Sequence, residues 1–309
     1  MMKNIVYSCY SCSDELRPKF LSLHERQLKK YAEKIGVDYK IKNIKNKWYN
    51  PPVFTVYEAY REFANSKYDN MLYIDWDVII SLESEDIFEA YEGVDFAAYN
   101  WKSGFTDQHI EIKTIEEYNT HVTQDNLDGK DNILLPMFIE NICLHKPEIQ
   151  FLEWYTNEAI SGGVMLFERN TMNKFLDGPV ISWSDIYNRI EQKRSSEPGF
   201  DSELLNAGGV LSHFAINYLL YYNNIRITNL NKKWNSNSVT NKMENNEYFY
   251  NFNCGGDEII SGETEFKEKN FASLKYVINN KSSFFENEDE YKQFISQYDY
   301  STILKAKQL

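Results

Sequence analysis

The stretch Tyr73-Ile-Asp-Trp-Asp-Val-Ile-Ile80 sets two carboxylates, Asp75 and Asp77, inside a run of residues that otherwise belongs in a core. Taking a carboxylate out of water is costly, so such a group protonates, pairs or binds a metal. The chain ahead of it alternates. Residues 3–9 read as a buried strand. A helix opens at Ser13-Asp14-Glu15 and carries Leu16, Phe20, Leu23, Tyr31 and Ile35 near helical spacing until Gly36 stops it. Residues 37–41 read as the next strand. Asn50-Pro51-Pro52 breaks the chain before a helix over 53–66, and residues 71–75 make a third strand. This order predicts an α/β fold with a parallel sheet, in which ligands sit beyond the carboxyl ends of the strands. Asp75 and Asp77 fall at such an end.

The order is Rossmann-like, yet no GxGxxG follows the first strand, which argues against a dinucleotide cofactor. Further on, 96–99 reads as a strand, and 101–158 has no dominant period and reads as an insertion or lid. Residues 160–168 turn back into a strand containing Gly162 and Gly163. Helices are expected over 182–193 and 200–207 on either side of Pro198-Gly199, and a short strand over 225–230. From 236 the composition shifts to Asn, Glu and Lys, with a helix over 287–305. The expected division is a main domain over 1–235 and a C-terminal extension over 236–309. Within the main domain, the insertion at 101–158 separates a first half, 1–100, from a second, 159–235.

A net charge of −13 over 309 residues argues against nonspecific binding to nucleic acid or an anionic membrane. Four cysteines are too few for a disulfide scaffold. Cys9 and Cys12 form a CxxC with no second pair to complete a zinc site, and read as ordinary thiols. Residues 1–11 are too short and polar for a signal-peptide core, and no apolar run reaches the length of a membrane span. A soluble, cytoplasmic protein without a transmembrane segment is the expectation.

On an extended backbone Asp75 and Asp77 share one face while Trp76 points to the other. Their mutual repulsion is relieved either by solvent at a strand end or by a divalent cation with oxygen ligands, Mn2+ or Mg2+. Such an ion keeps positions open for a diphosphate. KYDNMLYIDWDVII resembles the DxD segment of nucleotide-sugar glycosyltransferases of the GT-A fold. Three further segments follow in the order of that family. Ser161-Gly-Gly-Val-Met-Leu-Phe167 is similar to its N-(S/A)-G-V-(M/L)-L-F strand. Phe200-Asp-Ser-Glu-Leu-Leu-Asn206 resembles its D-(Q/E)-x-x-L-N helix start, and Leu230-Asn-Lys-Lys-Trp-Asn235 its LP-x-x-W-N loop. The four segments span roughly 1–235 and are similar to those of the glycogenin-like and lipopolysaccharide glycosyltransferases.

The resemblance implies a mixed, mostly parallel sheet flanked by helices and a transferase of the hexosyl class. The sugar would move from a nucleotide diphosphate, UDP favoured, to the hydroxyl of a glycan or similar acceptor, and retention of configuration is favoured over inversion. It implies a nucleotide-binding half over 1–100 and an acceptor half over 159–235, with Asp75 and Asp77 as metal ligands and Tyr7, Ser8, Tyr10, Asp75 and Trp76 around the nucleotide. Asp201 and Glu203 are implied as the acids nearest the reacting carbon. Ser161, Gly162, Gly163, Asp201, Asn206, Lys233, Trp234 and Asn235 are implied as contacts to sugar or acceptor. Two departures stand out. Thr55 lies where many relatives carry Lys, and 251–257 lacks the His and Lys of their late H-x-x-G-x-x-K, which leaves the third metal ligand unassigned. His213 is a candidate ligand or a packed core residue. A nucleotidyltransferase and a noncatalytic carbohydrate-binding or scaffold protein remain as rival readings.

Overall fold

A computed structural model of the chain describes residues 2–11, 19–44, 52–100, 109–114, 116–118, 120, 149–197, 199, 209–237, 248–251, 268–298 and 300–308. Strands β1 (Asn4–Tyr10), β2 (Asp38–Asn43), β3 (Asn70–Ile74), β5 (Phe96–Asn100), β6 (Ile160–Glu168) and β7 (Thr228–Asn229) form a six-stranded sheet in the order β2-β1-β3-β6-β5-β7. β1 runs parallel to β2 and β3, and β5 runs parallel to β7. β6 alone is antiparallel to its neighbours β3 and β5. The expected mixed, mostly parallel α/β sheet is present.

Side-chain alternation sorts the strands into two cores. Tyr7, Cys9, Met71, Tyr73, Phe96, Met165 and Phe167 face one side. There they meet helices α2 (Val56–Ala64), α4 (Ile149–Glu158), α5 (Arg169–Leu176), α6 (Trp183–Ser196) and α7 (Gly209–Tyr222). Val6, Leu72, Ile74, Ala97, Val164 and Leu166 face the other side, against α1 (Lys19–Ile35), α3 (Ile87–Ala90) and Trp234. Each fully buried Leu, Ile or Phe contributes about 1.5–3 kcal/mol, so this two-sided layer dominates stability. Helix α4, expected within an insertion or lid, buries Phe151, Leu152 and Tyr155 in the first core.

The sheet stops at Ile74, one residue before the predicted strand end, because the chain reverses there and joins a second sheet. β4 (Val78–Ile80) pairs antiparallel with β9 (Phe249–Asn251), and β9 pairs parallel with β8 (Ser236–Asn237). The expected boundary at 235/236 therefore falls beside a strand of this second sheet. Helices α8 (Glu268–Asn279), α9 (Lys281–Phe284), α10 (Glu288–Ile295) and α11 (Tyr300–Gln308) pack Leu274, Val277, Phe284 and Phe294 with Leu23, Ile79 and Tyr250. The single helix expected over 287–305 is two helices. Among the described residues, no helix is long and apolar enough to cross a membrane.

One feature of α7 bears on the site. Asn217 is fully buried, and its carboxamide accepts the Ile160 N–H (2.9 Å) and donates to the Ile160 and His213 carbonyls (3.3 and 2.9 Å). Ile160 pairs with Asn100 past the β5–β6 register shift, and Asn217 satisfies its backbone groups there, just ahead of Ser161-Gly162-Gly163. Asn217→Ala strands an N–H and carbonyls in the core, and is expected to cost about 2–4 kcal/mol in a urea titration.

Candidate active site

Asp75 follows β3, and its N–H donates to the Gly163 carbonyl on the adjacent β6 (2.8 Å). The Val78 N–H closes back onto the Asp75 carbonyl (3.1 Å), so Asp75-Trp76-Asp77-Val78 is a β-turn and not the extended strand end that alternation assumed. The chain must change sheets here, and a turn does this in four residues. Asp75, Trp76 and Asp77 are all partly exposed.

The Asp75 carboxylate is turned back along β3, where Oδ1 accepts the Tyr73 hydroxyl (2.7 Å). The Tyr73 hydroxyl hydrogen points to Asp75, so the Cys9 thiol at 3.6 Å is the donor to the Tyr73 oxygen. Burial first, and then the Asp77 charge, push the Asp75 carboxyl up from its ordinary value to about 8, against the opposing Tyr73 hydrogen bond. Two acids are thus held close together at one turn. Cys9 is a free buried thiol, pushed up to about 12 chiefly by burial, which makes it an inert core residue as expected of an ordinary thiol. Cys12 lies outside the described residues.

Two carboxamides complete the surroundings. Asn251 pairs through its backbone with Val78, and its side chain lies over Gly163 so closely that a Cβ there would overlap its Nδ2. The same Cβ would lie 3.5 Å from the Asn235 Oδ1. The absent side chain of Gly163 thus admits Asn251, where the sequence suggested a sugar. Asn235 and Ser236 are buried, and the Asn235 Oδ1 and Nδ2 and the Ser236 Oγ have no hydrogen-bond partner among the described residues. The turn, Gly163, Asn235 and Asn251 meet at one end of the main sheet.

Other expected site residues lie elsewhere. Tyr7 is buried and donates to Glu62 (2.9 Å), which also holds Lys40 and Lys42. Ser8 is fully buried against His24. Tyr7 and Ser8 lie on opposite faces of β1, both of which are covered, and Tyr10, bonded to Glu25 (3.3 Å), is the one of the three that is partly exposed. Trp234 is fully buried among Tyr91, Tyr248 and Phe249, so it is a core residue and not a sugar platform. Lys233 lies over Tyr248 and pairs with Glu85 (3.1 Å), which offsets the charge expected to meet a diphosphate. Ser161 and Gly162 are partly exposed at the start of β6. His213 packs its ring against Tyr155 and Phe214, as expected of a core histidine. Asp201, Glu203 and Asn206 lie outside the described residues. Thr55, in the position of the relatives' Lys, is buried at the entry to α2.

No known protein family matches the chain, and no curated protein sequence matches it. Among solved structures, the chain is similar to a glycosyltransferase involved in glycosylation of the major capsid of PBCV-1. That likeness has 9% identity and a TM-score of 0.46, over 83% of this chain and 96% of the other. It is also similar to the glycosyltransferase GlyE of Streptococcus pneumoniae TIGR4 (11% identity, TM-score 0.32, 75% of this chain and 46% of the other). A third is the bifunctional glycosyltransferase WbbM (12% identity, TM-score 0.32, 76% of this chain and 40% of the other). The chain thus spans less than half the length of GlyE and WbbM. The assignment of site residues rests on the geometry above.

The sequence passed over Tyr73, Ser236 and His24, and treated Asn251 only as a departure from a motif. Tyr73 alone left a readable signal, because it lies two residues before Asp75 and shares its face on an extended strand.

Proposed function

We propose that the chain is a metal-dependent glycosyltransferase that moves a sugar from a nucleotide diphosphate, UDP favoured, to an acceptor hydroxyl. The supporting observation is the pair Asp75 and Asp77, brought together at one turn close to amide and hydroxyl groups that are buried and, among the described residues, unpartnered. Those donors suit a hard divalent cation, Mn2+ or Mg2+, which takes oxygen ligands and tolerates carboxamides. Among the described residues there is no group of three or more His, Cys, Asp or Glu side chains. The protein's ligands would be Asp77 and Asp75, with the Asn235 carboxamide supplying a neutral oxygen beside Gly163 and Asn251 bracing that glycine. Substrate phosphates would fill the open positions.

Bound there, the cation would neutralise the leaving diphosphate as a Lewis acid. The chain's residues do the holding. The Gly163 carbonyl and Val78 N–H fix the turn, Tyr73 orients Asp75, and Trp76 stands at the turn's apex beside the site. Retention, favoured by the family resemblance, leaves Asp201 and Glu203 to position the sugar without acting as the base.

A thermal-shift panel of UDP-, GDP- and CMP-sugars, each with and without Mn2+, tests the reading. A ligand at about 100 times its Kd stabilises by about 2.7 kcal/mol, which is a shift of several degrees. Stabilisation by one nucleotide family, only with metal present, is the expected result. A panel in which no nucleotide shifts the protein, with or without metal, counts against it.

A further inference from the structure

Strand β4 is the edge of the second sheet, so alternate N–H and C=O groups point away from β9 and need partners. Side chains of α1 supply partners to the strand and to the chain that follows it. His24 Nδ1 donates to the Val78 carbonyl (2.6 Å), and Gln27 Oε1 accepts the Ile80 N–H (3.0 Å). The Tyr31 hydroxyl donates to the Glu85 carbonyl (2.9 Å) and accepts the Ile87 N–H (3.2 Å). Lys34 donates to the Leu82 and Ser84 carbonyls (both 2.9 Å). Positions 24, 27, 31 and 34 step by three, four and three, which is one stripe of a helix. A rigid helix thus takes the place of a strand along the ten residues that leave the acid turn.

His24 holds the end of that stripe nearest the acids. It is fully buried, and burial pushes its imidazole down to about 4, so it is neutral at physiological pH. A carbonyl can only accept, so the proton sits on Nδ1, and Nε2 accepts the Ser8 hydroxyl (2.8 Å). Ser8 lies on β1, the parallel neighbour of β3. Val78, the residue after Asp77, is therefore fixed twice. Its N–H is held by the Asp75 carbonyl and its C=O by an imidazole that is itself braced from the main sheet.

We propose that His24, oriented by Ser8, is a positioning residue that sets the direction in which the Asp75–Val78 turn presents Asp77. The consequence for metal binding rests on the function proposed above, whereas the hold on the turn does not.

Two readouts on the full chain separate the two: hydrogen exchange of peptides covering 74–81, and Mn2+ affinity by calorimetry. His24→Leu removes both bonds. It is expected to speed exchange in 74–81 about tenfold or more and to weaken Mn2+ about 10–100-fold, as loss of a ligand's support does elsewhere. His24→Asn keeps a donor near the Nδ1 position and is expected to recover most of both effects. Ser8→Ala leaves the imidazole in place and serves if the leucine variant does not fold, with an expected loss of about threefold in Mn2+ affinity. Unchanged exchange over 74–81 in the folded variants would overturn the positioning role, whatever the metal does. Wild-type protein that binds no Mn2+, while the variants still loosen the turn, would overturn the metal reading alone.

Discussion

Replacing Asp75 or Asp77 by Asn is expected to abolish sugar transfer in practice, by about a thousandfold or more, while making the metal-free protein more stable. The activity loss follows from removing a ligand to the cation that stabilises the leaving diphosphate, a contribution of several kcal/mol. The stability gain follows from the Asp75 carboxyl, whose value burial and the Asp77 charge raise to about 8. In the unfolded chain an Asp ionises near 4. Between those values the unfolded state has released a proton that the metal-free folded state still holds. Stability is therefore full below about pH 4, falls as pH rises toward 8, and levels off above it. Asp75→Asn removes that slope and is expected to raise the Tm at pH 7.5 by a few degrees. Added Mn2+ is expected to reverse the pH trend in wild type and to leave the variant unchanged. Melting curves from pH 5 to 9, with and without metal, check both signs.

Gly163→Ala is expected to lower stability and activity together. The new methyl would overlap the Asn251 carboxamide, and its neighbours are a strand and a closed turn with little room to yield. Overpacking of this kind costs about 1–3 kcal/mol. Shifting Asn251 also disturbs the seam between the two sheets at Asp75, so activity is expected to fall by about tenfold or more beyond any loss of folded protein. The coupling has a direct check. In an Asn251→Ala background the clash is gone, so adding Gly163→Ala is expected to cost little further stability. Equal costs in both backgrounds would place the strain elsewhere.

Much of this was legible in the sequence, because the signals were local. Strand periodicity, the stops at Gly36 and Pro51-Pro52, and the apolar run of 160–168 are short-range features, and the main sheet follows them closely. Asp75 and Asp77 stood out because charge in an apolar run is costly wherever the run folds. The less legible parts are long-range. The second sheet is assembled from 78–80, 236–237 and 249–251, each too short to show a period. The stripe on α1 is polar and sits on a helix whose apolar residues carried the periodicity, so His24 and Gln27 left no signal of their own. Tyr7, Ser8 and Trp234 show the opposite error. The family pattern brought them to the site by their place in the chain, while alternation and packing turn their side chains into the core.

The central claim is that the turn at Asp75 and Asp77 holds a divalent cation for a nucleotide diphosphate. Calorimetric titration of Mn2+ into the wild-type chain and the Asp75→Asn/Asp77→Asn double variant at pH 7.5, with and without UDP, tests it most directly. The expected result is one Mn2+ site in wild type, strengthened by UDP, with proton release from Asp75 on binding and no site in the variant. Equal Mn2+ binding by both proteins, or none by wild type even with UDP present, would contradict it.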